Sequence, residues 1–194
     1  ISAASEHDGQ VTNGMSFQAR GNKFANSAIV VTVDKNDFGN NELHGVDFQQ
    51  TLEKITFSRS KDFSIPAQNA KDYLLDRETQ KQFLCSDLCK IKQHNLNGIL
   101  PKQIENSIKT GLKYFDKRVP GFLEQGNLFA VETRTSSPVK IIRDNRYFHS
   151  KNVKNLYVVG EGSGYSGGII SSAADGYRIG SCFRLDNNRN HNNL

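Results

Sequence analysis

The chain has 194 residues, 36% of them hydrophobic, which suffices for one ordinary domain or for a small domain plus part of another. No apolar run approaches membrane-spanning length, so no membrane partner is expected. The formal charge of +5 comes from 25 Lys and Arg against 20 Asp and Glu, scattered rather than striped, which weighs against a DNA or RNA partner and suits a phosphate-bearing ligand equally well.

In chain order, the first sixteen residues alternate small and polar side chains around Asp8-Gly9 and Asn13-Gly14, two turn signals that predict a hairpin. A basic loop with Arg20 and Lys23 follows, and Ala28 to Val33 is an uninterrupted β-branched run that predicts a strand central to a small sheet. From Gly45 to Phe57, the apolar Val46, Leu52, Ile55 and Phe57 interleave with Gln49, Gln50, Glu53 and Lys54 as in an amphipathic helix, which Ile65-Pro66 interrupts. Ala67 to Leu75 reads as a second helix, and residues 76 to 96 stay open between short helix and loop. Within them, Cys85 and Cys89 have neither zinc-knuckle nor Cys-x-x-Cys spacing, and with Cys182 they read as reduced thiols of a cytoplasmic protein. The five histidines, His7, His44, His94, His149 and His191, form no metal-ligand cluster with them, so no metal is expected.

Pro101 suits the first turn of a helix in which Ile104, Ile108, Leu112 and Phe115 repeat at helical spacing, ending before Pro120-Gly121. Leu128 to Thr133 and Val139 to Ile142 are strand-like runs flanking Arg134, Thr135, Ser136, Ser137 and Pro138. With one cation and three hydroxyls, that loop either binds an oxygen-rich ligand or turns the chain. The two runs are expected to enter one sheet with the strand that follows, opening the loop beside a glycine turn.

That turn is the most informative stretch. Leu156 to Val159 has the length and content of a buried strand, and five glycines then fall within nine residues: Gly160, Gly162, Gly164, Gly167 and Gly168. Ile169, Ile170, Ala173, Ala174 and Tyr177 recur afterwards at helical spacing, giving strand, turn and helix. Glycine admits positive φ and removes the side chain that would block a ligand, while the first helical turn offers free N–H groups. Gly162 to Gly167 matches Gly-x-Gly-x-x-Gly, yet no second strand with an acidic end follows; Asp186 stands near the right distance without one. The segment therefore reads as the last strand and helix of a nucleotide-binding fold, the alternative being a plain glycine-rich turn. The Asn-rich tail from Asp186 reads as disordered, and the chain, opening at Ile1 without methionine or signal peptide, reads as a piece of something longer.

Taken together, VTNGMS at 11–16, ANSAIVV at 25–31, GVDFQQTLE at 45–53, PAQ at 66–68, ETRTSSPVKIIRD at 132–144 and NLYVVGEGSGYSGGIISSAADGYRIG at 155–180 resemble the FAD-dependent dehydrogenases of the two-dinucleotide-binding-domain flavoprotein superfamily. The resemblance implies an α/β fold: residues 1–125 largely an inserted mixed α+β cap or substrate domain, residues 126–185 the C-terminal part of a Rossmann-like FAD-binding domain, and 186–194 a tail. It implies FAD as cofactor, an N-terminal FAD-binding half outside this chain as partner, and a small-molecule substrate. Self-association through surfaces that the other half would cover is also expected.

Carried over by similarity, Glu161 takes the acidic position after the strand, with Gly160 and Gly162 giving it room, and Gly167, Gly168 and Ile169 take the helix start facing the flavin; Gly164 and Tyr165 complete the turn. A helix N-terminus stabilises negative charge developing on a reduced flavin. For Glu161 the alternative is a capping or surface carboxylate. Arg134, Thr135, Ser136 and Ser137 are candidates for an active-site loop, and Asn13, Met15, Asn26 and Ser27 for the substrate side, turn chemistry being the alternative for Asn13. The function implied is a fragment of an FAD-dependent oxidoreductase; the alternative is a non-catalytic binding or scaffold module that retains the fold without flavin.

Overall fold

The computed structural model describes all residues except 81–82, 84–89 and 192–194, with backbone alone from 183 to 191. Cys85 and Cys89 lie outside the described residues. The chain divides into two compact units, the first Ile1–Gly39 with Asp47–Thr133, the second Asn40–Val46 with Arg134–Leu194. The architecture is mixed α/β.

In the first unit, α1 (Lys35–Phe38) opens with a capping box in which the Asp34 side chain accepts from the Asn36 N–H and Asp37 accepts from the Asp34 N–H. Helix α2 (His44–Ser60) enters this unit at Asp47 and buries Leu52, Glu53, Thr56 and Ser60. Its inner face is thus mostly polar, which is why its apolar periodicity is weak in the sequence. Those polar groups are satisfied locally: Thr56 Oγ1 donates to the Leu52 carbonyl, and Ser60 Oγ donates to Gln10 Oε1.

Strand β1 (Ile65–Asn69) is buried along its whole length between β2 (Ile91–Gln93), parallel with Ile65 opposite Ile91, and β3 (Asn127–Phe129), antiparallel with Ala67 opposite Phe129. Pro66 therefore opens no break, as the sequence suggests, but sits inside a central strand, its carbonyl accepting from the Ala130 N–H. The second helix is correspondingly shorter than expected: α3 is Ala70–Leu74, started by Asn69, whose side chain accepts from the Lys71 and Asp72 N–H groups. Helix α4 (Lys102–Arg118) begins after Pro101 and buries Ile104 and Leu112, as its spacing predicts, and α5 (Phe122–Gln125) leads into β3. Ala70, Tyr73, Leu96, Ile99, Leu112, Ala130 and Val131 form the core. Burial there pushes the Tyr73 phenol well above its ordinary value, with Glu105 adding to the effect.

Two expected strands are absent from this sheet. Residues 28–33 have no ladder partner among the described residues; Ile29 packs on the core while Val30 and Val33 face outward. β-Branched content favours a strand only where neighbours supply one. The N-terminal hairpin reduces to one bridge, Glu6 with Gly9, across the expected Asp8-Gly9 turn.

The second unit holds helix α6 (Ile169–His191), which runs past Asp186 where the sequence suggests a disordered tail, since extending a formed helix adds one hydrogen bond per residue fixed. Ahead of it, Val139–Ile142 forms no bridge, Leu156–Val159 forms one at Tyr157 with His149, Arg143 just past the first run bridges Ser150, and β3 pairs with β1 instead of joining them. Leu156 and Val159 are exposed, so the apolar run expected to be a buried strand has an uncovered side. At Gly45 an added Cβ would lie 2.6 Å from the Pro138 carbonyl oxygen, a backbone approach that only glycine permits. Among the described residues no helix is long and apolar enough to cross a membrane.

Candidate functional site

The glycine turn is built from its own backbone. Gly160 takes φ +75° and Gly164 φ +81°, both left-handed, and the turn closes through Gly164 N–H to the Glu161 carbonyl and Tyr165 N–H to the Gly160 carbonyl. Ser163, buried, donates from Oγ to the Gly160 carbonyl.

The residues just ahead of the turn are laced to it. Ser137 Oγ lies 2.8 Å from the Val139 carbonyl oxygen and 3.2 Å from that of Gly162, and the Ile141 N–H donates to the Ser163 carbonyl. A Cβ on Gly164 would stand 2.5 Å from the Val139 carbonyl oxygen and 2.9 Å from Lys140 Cα. The loop at 134–137 thus opens beside the glycine turn, with Arg134, Thr135 and Ser136 outward and Ser137 against Gly162.

A buried ion pair anchors the turn. Arg143 donates through Nη1 and Nη2 to Asp175 at 2.8 and 2.7 Å, and both side chains are over nine-tenths buried. Nη1 also reaches the Val158 carbonyl at 2.7 Å, and Asp175 Oδ2 accepts from the Gly160 N–H at 2.9 Å. The guanidinium hydrogen bonds hold the Asp175 carboxyl below its ordinary 3.8 against the opposing effect of burial, and the Gly160 N–H adds to them. Asp175 in turn raises the Arg143 guanidinium. The Tyr165 ring lies 3.7 Å from Arg143 Cζ and 4.6 Å from Lys140 Nζ, a cation–π contact with each.

The predicted cofactor residues therefore sort into two sets. Gly160, Gly164 and Tyr165 serve the turn's internal packing. Gly162 and Gly167 have nothing within 4 Å of where a Cβ would be, and Gly168 leads into the first turn of α6, whose N–H groups have no intrahelical acceptor. Glu161 sits between the sets, half-buried, its carbonyl closing the turn. Bare glycines before an open helix start suit an anionic or electron-rich edge, which can approach the amides without meeting a side chain. Ile169 is 89% exposed beside it.

On the first unit, Asn26 rather than Asn13 carries turn chemistry: its Nδ2 donates to the Met15 carbonyl, and a Cβ on Gly14 would meet its Oδ1 at 3.2 Å. Met15 is exposed there. The sequence reading missed Arg143 and Asp175, and also Glu53, fully buried, which accepts from Thr133 Oγ1 while Gln49 Nε2 donates to the Thr133 carbonyl. The available signal was an aspartate on the same helical face as Ile179, since a buried carboxylate needs a cation. A cleft lined by Asn69, Lys71, Asp72, Arg77, Glu78, Gln80 and Glu124 is polar, and both of its cations are engaged, Lys71 with Glu124 and Arg77 with Asp72. Among the described residues no group of His, Cys, Asp and Glu is placed to hold a metal ion.

The chain belongs to the family described as FAD-dependent protein, C-terminal domain-like, whose model matches residues 1–135. The matched stretch covers the first unit and ends inside the Arg134–Ser137 loop, so the glycine turn lies beyond it. An uncharacterized protein of Clostridium beijerinckii is 39% identical over 184 residues, covering 92% of this chain and 34% of that protein. The chain spans about a third of the length of that relative.

Proposed function

We propose that the chain is the part of an FAD-dependent dehydrogenase that supplies an inserted cap domain, residues 1 to about 125, and then the C-terminal, Rossmann-like portion of the flavin-binding domain. The observation that carries this is the open helix start: Gly162 and Gly167 leave empty space where side chains would stand, directly before α6. FAD bound there would supply acceptance of a hydride or of electrons from a small-molecule substrate. The residues present fit such a group. The first-turn amides and the positive end of α6 would receive an electron-rich ring edge, the bare glycines would allow its close approach, and Glu161 would offer a carboxylate to a hydroxyl. Ser137 borders the same turn, and with Arg134, Thr135 and Ser136 it would orient substrate or exclude water.

The apolar stripe of α6 supports the reading as part of a longer protein. Ile169, Ile170, Ala173 and Tyr177 point away from the Asp175 face and are exposed. The test is an FAD titration of the protein expressed in its full reading frame, with Glu161→Ala and Gly167→Val beside it. Saturable binding weakened in both variants is expected. A folded protein that binds no FAD, or variants that bind as well as the parent, overturns the proposal and leaves the scaffold alternative.

A further inference from the structure

Five glycines within nine residues make a segment that loses much conformational entropy on ordering, so something has to hold it. Arg143 and Asp175 hold its first half from three sides. They bind the chain two residues before it through the Val158 carbonyl, its first amide through Gly160, and the ring of Tyr165 in its middle. The Tyr165 hydroxyl also lies 3.3 Å from the Arg143 amide nitrogen, and the Phe148 ring stands 5.0 Å from the guanidinium carbon. None of these contacts involves the outward side, where Gly162 and Gly167 remain open. An ion pair is a poor source of stability when buried, since an apolar pair of similar volume does as well. What an apolar pair cannot do is accept the Gly160 N–H and donate to the Val158 carbonyl at once.

We propose that Arg143 and Asp175 are positioning residues that shape the Gly160–Tyr165 turn before any ligand arrives, so that the site is preformed rather than induced. This rests on the flavin reading for the identity of the ligand, but not for the state of the turn. Preformation raises affinity by removing the ordering cost from the binding step.

Two measurements test it. The first is hydrogen exchange at the Gly160, Gly164 and Tyr165 amides of this chain without FAD, in the parent, in Asp175→Asn and in the paired Arg143→Met/Asp175→Leu variant. The parent protects these amides. The paired variant loses protection at Gly160 while the α4 amides keep theirs, and Asp175→Asn, which retains one acceptor oxygen, falls between. The second is FAD affinity in the full reading frame, where the paired variant raises the dissociation constant about tenfold. Unprotected amides in the parent, or unchanged protection and affinity in a paired variant whose α4 amides stay protected, overturn the proposal. If the paired variant does not fold, Asp175→Asn decides by the same readouts. If the parent binds no FAD, the flavin reading falls, and the exchange data alone decide whether the turn is held.

Discussion

The two units solve opposite problems. The first buries its apolar residues in the ordinary way, around Leu112, Ile99 and Ala70, and among its described residues pairs most of the polar groups it buries, His94 Nε2 and Asn97 Oδ1 being left without a partner. The second buries an arginine and an aspartate and turns isoleucines outward: among its described residues the buried apolar side chains are Val158 and Ile179, while Ile169, Ile170 and Tyr177 are 89%, 81% and 78% exposed. Helix α6 thus has its polar face inward at Ser172 and Asp175 and its apolar face outward. A unit whose apolar stripe lies outside and whose ion pair lies inside holds its shape by hydrogen-bond geometry more than by the hydrophobic effect.

That contrast can be broken at several points, in order of expected effect. Arg143→Met alone should destabilise the second unit by about 4 kcal/mol, because it strands the Asp175 carboxylate, and chemical denaturation should show this loss largely reversed by adding Asp175→Leu. Leu112→Ala should cost the first unit about 3 kcal/mol through the cavity left in its core, with no reversal by a polar partner, as a thermal melt would show. Gly164→Ala should cost about 2 kcal/mol, from the positive φ and the backbone atoms it would strike, whereas Gly162→Ala should stay within about 0.5 kcal/mol in the same melt. Ile170→Ser with Tyr177→Ser should lower self-association without lowering stability; light scattering that is unchanged, or a parent already monomeric at high concentration, would contradict the role given to the stripe.

The pH dependence is the smallest effect. The folded state lowers the Asp175 carboxyl below 3.8, so its contribution is complete above that value and is lost as pH falls through the depressed one. Asp144, held down by the Tyr147 and Arg146 amides, titrates in the same window, so the difference between the parent and Asp175→Asn isolates the ion pair. Melting midpoints followed from about pH 5 to about pH 2 should converge for the two proteins as acid removes the charge.

What the sequence made legible was local. Pro101 and the four-residue repeat of Ile104, Ile108 and Leu112 place α4 because every signal lies within one helix, and the glycines before Ile169 place the turn and α6 likewise. Strand β1 was obscured because Pro66 normally argues against a central strand and is tolerated here only where its missing N–H needs no acceptor. Residues 28–33 carry strand composition without a ladder, since pairing depends on neighbours that composition does not reveal. The turn was readable, but not what holds it: Arg143 and Asp175 are 32 residues apart, and nothing in their spacing joins them. The residues expected to face a flavin are named by resemblance, and the division into open glycines and packed glycines needed coordinates, because a Cβ clash depends on Val139 and Lys140 from another segment.

The open glycines end at Gly167 and the apolar stripe begins at Ile169, so a ligand at the first and a polypeptide on the second would address residues two apart in the chain. Thermodynamic reciprocity then applies. Whatever factor a covering polypeptide added to ligand affinity, the ligand would add to the affinity of that polypeptide, and a joint between two parts of a protein would then report whether a cofactor is in place.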